Sequence, residues 1–505
     1  MPSSMKNVSR SAVGYLLPVL VYLVSAPLVW QGLGFWDSVH YVSAALDLLE
    51  FGPALGDRHW DLRYPLVLPV AASLAIFGPS ELAASVPSFI YGLGLVLATT
   101  AFGMRHLGRA AGVIFGMLIA TSVSLVLLPL AVEIRGPEIF FVALSLWLFV
   151  SGTGHRLSAP LLIGSGVAAA FAFLCREVSA YVPPTIAVAA LLFTPRDQWL
   201  RAILFPAIGF LAVMACEFAF YTVASGDPLF RYRLSLNHNE ISGGSAKELA
   251  SGLRERGLVE TLVTPVKRYA AAQTTLPVAA VGGLAAVSLI FMRGRLSPST
   301  RRTLGVFVTA AMLSYLLAAL VLNLQSPRYF PVLDYLACMM IAVAVANFGL
   351  SGWRKLALLP VVGVLVSGPI AADATRGFLF QGARPAVQAA KDEEELITVS
   401  YWVHDRAMAL LRLEGRTVED ASAEFIREND ATPEGLYYGY GGDFPCRRDA
   451  DTCDFVVVKD LGKLKLSWGQ RARVSLCENV PSVSGVFCDW RIPTAALYRH
   501  SDALQ

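Results

Sequence analysis

Long apolar runs recur along this chain, and they constrain its fold more than any other feature. Residues 11–36, 110–132 and 303–327 each contain no charged side chain. A helix of about 20 apolar residues crosses the roughly 30 Å hydrocarbon core of a bilayer. With 55% hydrophobic and only 16% charged residues over 505 positions, the chain is too apolar for a soluble globular protein. The sequence therefore predicts a polytopic integral membrane protein.

We predict an all-α membrane domain of eleven spans. Their approximate bounds are 14–33, 80–102, 110–131, 138–153, 159–175, 178–194, 202–224, 274–292, 303–324, 330–349 and 356–372. If the N-terminus lies in the cytoplasm, the inner segments carry thirteen basic residues and one acidic residue, Asp197. This bias follows the positive-inside rule. It predicts an inner (plasma) membrane protein whose C-terminus lies on the periplasmic or extracellular side.

The stretch Pro65–Phe77 is apolar enough to be a span, but a span here would invert every later loop. We therefore predict a juxtamembrane or re-entrant helix on the outer side, with an ordinary short span as the alternative. Backbone at that depth must pack in protein or line a cavity. The helix is thus expected to form a wall of a site.

The composition changes abruptly near residue 373, and the tail contains no further apolar run of spanning length. We predict two domains, a membrane domain 1–372 with an outer loop 34–79, and a soluble α/β domain 373–505. Within the tail, 392–413 has a helical pattern, and 455–459 and 473–477 are predicted strands. Four tail cysteines predict two disulfides of open connectivity, with a zinc site as the alternative. These are Cys446, Cys453, Cys477 and Cys488.

Polar residues cluster in the first outer loop, where Asp37 closely follows the first span. A carboxylate at the mouth of a membrane cavity can act as a general base, because desolvation there raises its proton affinity. The alternative is that Asp37 caps the helix that follows it. Further along, Asp57, His59 and Asp61 alternate as metal ligands can, although a solvated loop also produces this pattern. We expect no obligatory cofactor, and this triplet leaves room for a divalent metal ion.

Several short segments together resemble the GT-C glycosyltransferases, more narrowly the protein O-mannosyltransferase and lipid A aminoarabinose transferase superfamily. They are the acid after the first span, the segment 77–88, Glu133-Ile134-Arg135-Gly136-Pro137-Glu138, the segment 221–232, and Arg328-Tyr329-Phe330-Pro331. The proline of the last segment comes one position earlier than in the family. The sequence also has Arg63-Tyr64 where many relatives have Lys-Pro or His-Pro, so the acceptor stays open.

The resemblance implies that Asp37 is the catalytic base, assisted by Glu133 or Glu138. It implies transfer of a sugar from a polyprenyl-phosphate donor to a glycan, lipid or protein acceptor on the non-cytoplasmic face, and we expect this displacement to be inverting. His59, Tyr64 and Glu217 are predicted to face the acceptor or to hold the loop. No nucleic-acid partner is expected.

A lipid-phosphate donor requires cations at the outer surface, and four arginines lie near the outer ends of predicted spans. They are Arg135, Arg176, Arg231 and Arg328, with Tyr329 beside the last. These residues are predicted to bind the donor phosphate. The alternative for each arginine is a side chain that only reaches the interface. Arg176 and Glu177 form an adjacent ionisable pair at membrane depth, which is costly unless it faces a cavity or is a tight hairpin.

Other functional classes stay open at this point. A secondary transporter has a similar number of spans, but internal repeats and broken helices in matching halves are not evident. A non-catalytic scaffold would not need acids and arginines on one face. A lipid-linked glycan polymerase or ligase is the closer alternative, because the long loop 227–274 could carry its basic residues.

Overall fold

A computed structural model describes residues 3–30, 32–33, 36–52, 55–56, 58–154, 156–241, 259–269, 276–322, 326–348, 358–375, 378–393, 396–427, 436–440, 455–463 and 494–500. These residues are mostly helical. They divide into two compact units, which are described separately. The first comprises Met1–Trp30, Pro53–Pro69 and Pro87–Ala372, and the second comprises Gln31–Gly52, Val70–Val86 and Asp373–Gln505.

Most of the helices before residue 376 follow the apolar runs. They are α1 (Ser3–Val29), α2 (Trp36–Phe51), α3 (Tyr64–Phe77), α4 (Glu81–His106), α5 (Arg109–Ala120), α6 (Arg135–Gly152), α7 (Ala159–Cys175), α8 (Val182–Phe193), α9 (Trp199–Ser225), α10 (Phe230–Ile241), α11 (residues 259–269), α12 (Leu276–Phe291), α13 (Pro298–Leu316), α14 (Pro331–Phe348) and α15 (Leu358–Thr375). Short 3₁₀ helices cover Leu128–Ala131, Glu177–Tyr181, Arg196–Gln198, Arg293–Arg295 and Pro327–Tyr329, and π-helical turns cover Val123–Leu127 and Leu317–Val321.

Within the described residues, five helices are long and apolar enough to cross a membrane, and a bent pair makes six. Five shorter apolar helices accompany them, including α3, whose 14 residues are too few for a perpendicular span. The predicted span 110–131 differs from a continuous helix. It bends by 57° between Arg109–Ala120 and Val123–Ala131, and Val132 after it has a left-handed φ of 61°. Pro129 cannot donate to a continuing helix, which favours a break in this region.

Small residues and polar pairs hold the helices of the first unit together. A Cβ on Gly166 of α7 would collide with the Pro206 carbonyl of α9, so the two backbones touch at a glycine. Ser145 of α6 and Ser165 of α7 each donate a 2.8 Å hydrogen bond to the carbonyl of the other. Such contacts matter in a bilayer, where apolar side chains gain little by leaving lipid for protein.

The second unit contains α2, a five-stranded mixed sheet and three further helices. The helices are α16 (Phe378–Asp392), α17 (Tyr401–Leu413) and α18 (Val418–Ser422), and the strands are β1 (Ile397–Val399), β2 (Phe425–Arg427), β3 (Leu436–Tyr440), β4 (Phe455–Lys463) and β5 (Thr494–His500). The strand order is β2-β1-β3-β5-β4, with β1 parallel to both its neighbours and β5 antiparallel to both of its own.

Two segments of the second unit can be compared with the predictions from the sequence. The predicted strand 455–459 lies within β4, but the helical pattern over 392–413 is interrupted by β1. Ile397 and Val399 are fully buried in the core of the unit, which a strand achieves with its ladder bonds to β2 and β3. Arg412 of α17 pairs with Asp47 at 2.8 Å and with Glu50 at 2.9 Å, so α17 is bound to α2. The predicted strand 473–477 and the four tail cysteines lie outside the described residues.

Candidate active site

The site begins with a buried carboxylate in the first turn of α6. Glu138 is 2% exposed and accepts hydrogen bonds from Arg176 Nη1 at 3.1 Å and from Ser179 Oγ at 2.9 Å. Helix α7 ends at Cys175, and Arg176 has extended backbone, so its side chain leaves the helix axis toward α6. The 3₁₀ helix that follows then brings Ser179 to the same carboxylate. The sequence predicts that Arg176 and Glu177 are an unfavourable pair of charges at membrane depth. In the structure each of the two charges has a separate partner.

Arg176 also connects this carboxylate to the start of α14. Its Nη1 lies 3.4 Å from the carbonyl oxygen of Arg328, and its guanidinium lies 4.7 Å from the centre of the Tyr329 ring. The Arg328 guanidinium lies 5.0 Å from the same ring and donates a 2.9 Å hydrogen bond to the Tyr329 hydroxyl. Arg176 is buried whereas Arg328 is exposed. One aromatic ring is thus held by two cations, one inside the protein and one at its surface.

Glu133 and Arg135 form a closed pair before and at the start of α6. Arg135 Nε donates to Glu133 Oε1 at 2.5 Å and Nη2 donates to Oε2 at 2.6 Å. This two-bond fork matches the planar geometries of guanidinium and carboxylate. Both side chains are buried: that of Arg135 is 8% exposed and that of Glu133 is 6% exposed. Much of the charge of Arg135 is therefore compensated within the protein.

Arg231 of α10 is enclosed by acceptors from two other segments. It pairs with Glu177 at 3.1 Å and with Glu217 at 3.0 Å, and it donates a 2.8 Å hydrogen bond to the Leu174 carbonyl. Tyr232 donates to the other oxygen of Glu217 at 2.8 Å. Burial raises the pKa of the Tyr232 hydroxyl, and the Glu217 carboxylate raises it further, so this phenol remains a neutral donor. Arg231 and Glu217 therefore serve first to join α10, α9 and the end of α7.

Two residues of this region were missed in the sequence. Asp334 is 1% exposed in the first turn of α14 and accepts hydrogen bonds from Ser124 and from Tyr269, the last residue of α11. An acid inside an apolar run was the signal that could have found it, because such residues are rare in spans. Arg63 is 8% exposed and interacts electrostatically with Glu177. In the sequence, Arg63 stands out only as a departure from the family motif.

The remaining predicted residues belong to the first outer segment. Asp37 lies in the first turn of α2, is partly exposed, and belongs to the second compact unit. Tyr64 packs edge-on against Phe220 at 5.7 Å, and the His59 ring lies 3.9 Å from that of Trp60. Asp57 lies outside the described residues. Over the described part of the chain, no group of three or more His, Cys, Asp or Glu residues comes together as a metal site.

The first unit is therefore an apolar helical bundle that gathers buried carboxylates and arginines where α6 begins, α7 ends and α14 begins. This arrangement is that of an α-helical membrane protein with ionisable residues gathered in its interior. Residues 66–221 match the family model described as dolichyl-phosphate-mannose-protein mannosyltransferase. The matched segment includes Glu133, Glu138, Arg176 and Glu217. No curated protein sequence matches the chain.

Solved structures support the same fold. The oligosaccharyltransferase of Archaeoglobus fulgidus in its apo form has a TM-score of 0.52 at 13% identity, over 82% of this chain and 64% of that one. The same enzyme tethered to an acceptor peptide with an NVT sequon has a TM-score of 0.55 at 13% identity, over 86% and 70%. This chain thus covers just under two thirds of the apo oligosaccharyltransferase. ArnT from Cupriavidus metallidurans bound to undecaprenyl phosphate matches over 97% of this chain and 98% of its own at 13% identity. Its TM-score is 0.44, which is too low to establish a common fold.

These matches confirm the resemblance to GT-C glycosyltransferases that the sequence motifs predicted. They also agree with a mostly helical membrane fold. At 13% identity the structural matches show the fold alone. The roles of individual residues therefore follow from their own contacts and not from these matches.

Proposed function

We propose that this chain is an integral membrane glycosyltransferase that moves a sugar from a polyprenyl-phosphate donor to an acceptor on the non-cytoplasmic face, with inversion. The observation that carries the proposal is the exposed Arg328 guanidinium, held at the surface by Tyr329, next to the buried Arg176–Glu138 pair. The fold match and the mannosyltransferase family model support the same reaction class. The Archaeoglobus oligosaccharyltransferase has also been solved with an inhibitory peptide and a dolichol-phosphate.

Arg328 is the arginine best suited to the donor phosphate. The other three predicted arginines each have a carboxylate at 3.1 Å or less and are buried. A phosphate would have to enter the protein interior to reach those arginines, whereas the Arg328 side chain is exposed at the surface. The leaving phosphate departs more readily when a cation neutralises its developing charge. Arg176 contributes by holding Tyr329, and through it the orientation of Arg328.

Asp37 is proposed as the base that deprotonates the acceptor. The support is its place directly after the first apolar helix and the family resemblance of that position. Glu133 and Glu138, proposed earlier as assisting acids, have arginine partners. We therefore propose that they shape the site by fixing Arg135 and Arg176.

The proposal includes a topology of eleven spans with a cytoplasmic N-terminus. It places a membrane domain at 1–372 and a soluble domain at 373–505 on the outer side. The helices and the bent pair that are long enough to span support a multi-pass protein. The basic residues of alternate loops support its orientation.

The first experiment replaces Asp37 by Asn in the purified full-length enzyme. General-base catalysis typically contributes roughly 10²–10⁴-fold, so turnover should fall by that factor while carrier binding is kept. The matched control is Asp47→Asn on the same helix, which loosens a pair with Arg412 but should leave turnover nearly unchanged. Near-normal turnover in Asp37→Asn would reduce Asp37 to a helix cap. The donor itself would be identified by mass spectrometry of the polyprenyl-phosphate sugar that accumulates in a deletion strain.

A second experiment tests the phosphate role by Arg328→Gln and Arg328→Lys. The glutamine variant should bind the carrier about tenfold or more weakly, as expected for a lost charge-assisted hydrogen bond. The lysine variant keeps the charge and should bind at an intermediate level. Arg233→Gln, at a surface arginine of α10 that is 70% exposed, controls for loss of charge. Equal carrier affinity in Arg328→Gln and Arg233→Gln would remove Arg328 from the donor site.

A further inference from the structure

A polar cavity lies at the opposite end of the same bundle from the candidate active site. Its volume is about 1080 Å³, and it is lined by the last turn of α6, the end of α4 and the start of α13. Ser151 in its wall is 13 residues further along α6 than Glu138, which places it about 20 Å along the helix axis. The cavity is therefore separate from the candidate active site. Under the proposed topology it opens at the cytoplasmic surface.

Three arginines converge on this cavity. Arg105 comes from the end of α4, Arg156 from the turn between α6 and α7, and Arg302 from the second turn of α13. The other polar lining is neutral or histidine, and none of the described lining residues is acidic. In the described part of the chain no carboxylate forms an ion pair with any of the three arginines. Positive charge is thus concentrated in a concave site where the described carboxylates form no ion pair with the arginines.

The surroundings of Arg302 distinguish this cavity from an ordinary cluster of arginines at the inner surface. Its Nε and Nη2 atoms are buried and have no hydrogen-bond acceptor among the described residues. An arginine that only reaches for the interface places its head in water. Buried guanidinium nitrogens without an acceptor are unfavourable, so these two donors favour an anionic group in the cavity.

The walls of the cavity are held by specific contacts between helices. His106 Nε2 lies 2.9 Å from Ser151 Oγ, and its ring stacks on Trp147 at 5.9 Å. Thr300 donates a 3.3 Å hydrogen bond to the His106 carbonyl, which ties α13 to α4. Ser297 caps α13 by accepting from the Thr300 backbone N–H. The N-terminus of α13 therefore also faces the cavity region, and its dipole favours an anion there.

We propose that this cavity binds a phosphate-bearing anion, with the half-buried Arg302 as the inner ligand and the exposed Arg105 and Arg156 at the rim. Arginine suits this role because its fork of donors matches two phosphate oxygens. The volume accommodates a phosphate that carries an organic substituent. Two sources supply this chemistry, the headgroup of an anionic phospholipid and a soluble organic phosphate. The site is independent of the proposed glycosyl transfer.

Native mass spectrometry of the full-length protein in detergent tests the proposal. The probes are phosphatidylglycerol, zwitterionic phosphatidylcholine, and adenosine monophosphate. The wild-type protein should bind phosphatidylglycerol or the monophosphate in preference to phosphatidylcholine. Competition between phosphatidylglycerol and adenosine monophosphate would show which source the cavity takes. Arg302→Gln should weaken binding of the preferred anion about tenfold or more, and Arg302→Lys should restore part of it.

The matched control removes two arginines from the same end of the bundle that do not line the cavity. Arg293 and Arg295 lie in the exposed turn between α12 and α13, so Arg293→Gln/Arg295→Gln should leave binding within about twofold of wild type. Should Arg302→Gln fail to fold, Arg105→Gln/Arg156→Gln alters only exposed rim residues and should show the same loss. The proposal is overturned if no anion binds in preference to phosphatidylcholine, or if the control weakens binding as much as the cavity variants do.

Discussion

Replacement of Arg231 by Met should destabilise the protein far more than the same change two residues later. Arg231 is 1% exposed and donates to two carboxylates and to backbone carbonyls, whereas Arg233 is 70% exposed and pairs only with Asp227 among the contacts described. Breaking a buried pair by removing one partner typically costs about 3–5 kcal/mol, because a charge is left without compensation. An exposed pair typically contributes about 0–1 kcal/mol. The two variants should therefore differ by several kcal/mol in the free energy of unfolding.

The size of the loss at Arg231 follows from its partners. The Glu217 side chain is 7% exposed and would keep only the hydrogen bond from Tyr232 among those described here. Glu177 is 33% exposed and also interacts with Arg63, so water and a second cation compensate part of its charge. Most of the cost thus arises at Glu217. A second change, Glu217→Gln, should recover a large part of the loss in Arg231→Met because it removes the uncompensated charge.

The assay is the fraction of detergent-purified protein that stays monodisperse in size-exclusion chromatography after heating. Arg231→Met should lose its monodisperse peak at a clearly lower temperature than wild type and Arg233→Met. The double variant should lie between them. Equal midpoints for Arg231→Met and Arg233→Met would refute the reasoning, since they would mean that the buried network contributes no more than a surface pair. A normal midpoint with selective loss of carrier binding would instead restore Arg231 as a phosphate ligand.

Three further outcomes are expected. Asp334→Leu removes the carboxylate that accepts hydrogen bonds from Ser124 and Tyr269, so it should cost about 1–3 kcal/mol and accelerate hydrogen exchange in α11. Asp334→Asn keeps an acceptor and should have a smaller effect on both. Equal exchange in the two variants would contradict this. A reporter that is active only in the cytoplasm should be silent when fused after Gln505, and an active one would change the span count by one. Non-reducing mass spectrometry should find no free thiol among the four tail cysteines, and four alkylatable thiols would exclude the two disulfides.

The apolar runs determined the character of the fold because membrane insertion depends on local composition. Helices α4, α6 and α14 lie close to spans predicted from hydropathy alone. The break after α5 was not predicted, since Val123–Ala131 is as apolar as a continuous span and its backbone follows its tertiary neighbours. In the same way, residues 392–413 have a helical period. Within them Ile397–Val399 nevertheless form strand β1, because Ile397 and Val399 are buried in the core of the second unit.

The candidate site shows the same division. The sequence by itself determined which residue types were out of place in a bilayer, and it singled out Arg176 on that ground. Glu138 was found through the family resemblance, and Arg231 through the need for cations near a donor phosphate. Only the tertiary structure decided their partners. Arg231 meets a carboxylate 54 residues away and another 14 residues away, and Arg176 meets Glu138 across 38 residues. A pattern along the chain reports burial, which is a local property, whereas the pairing of charges depends on which helix ends pack together.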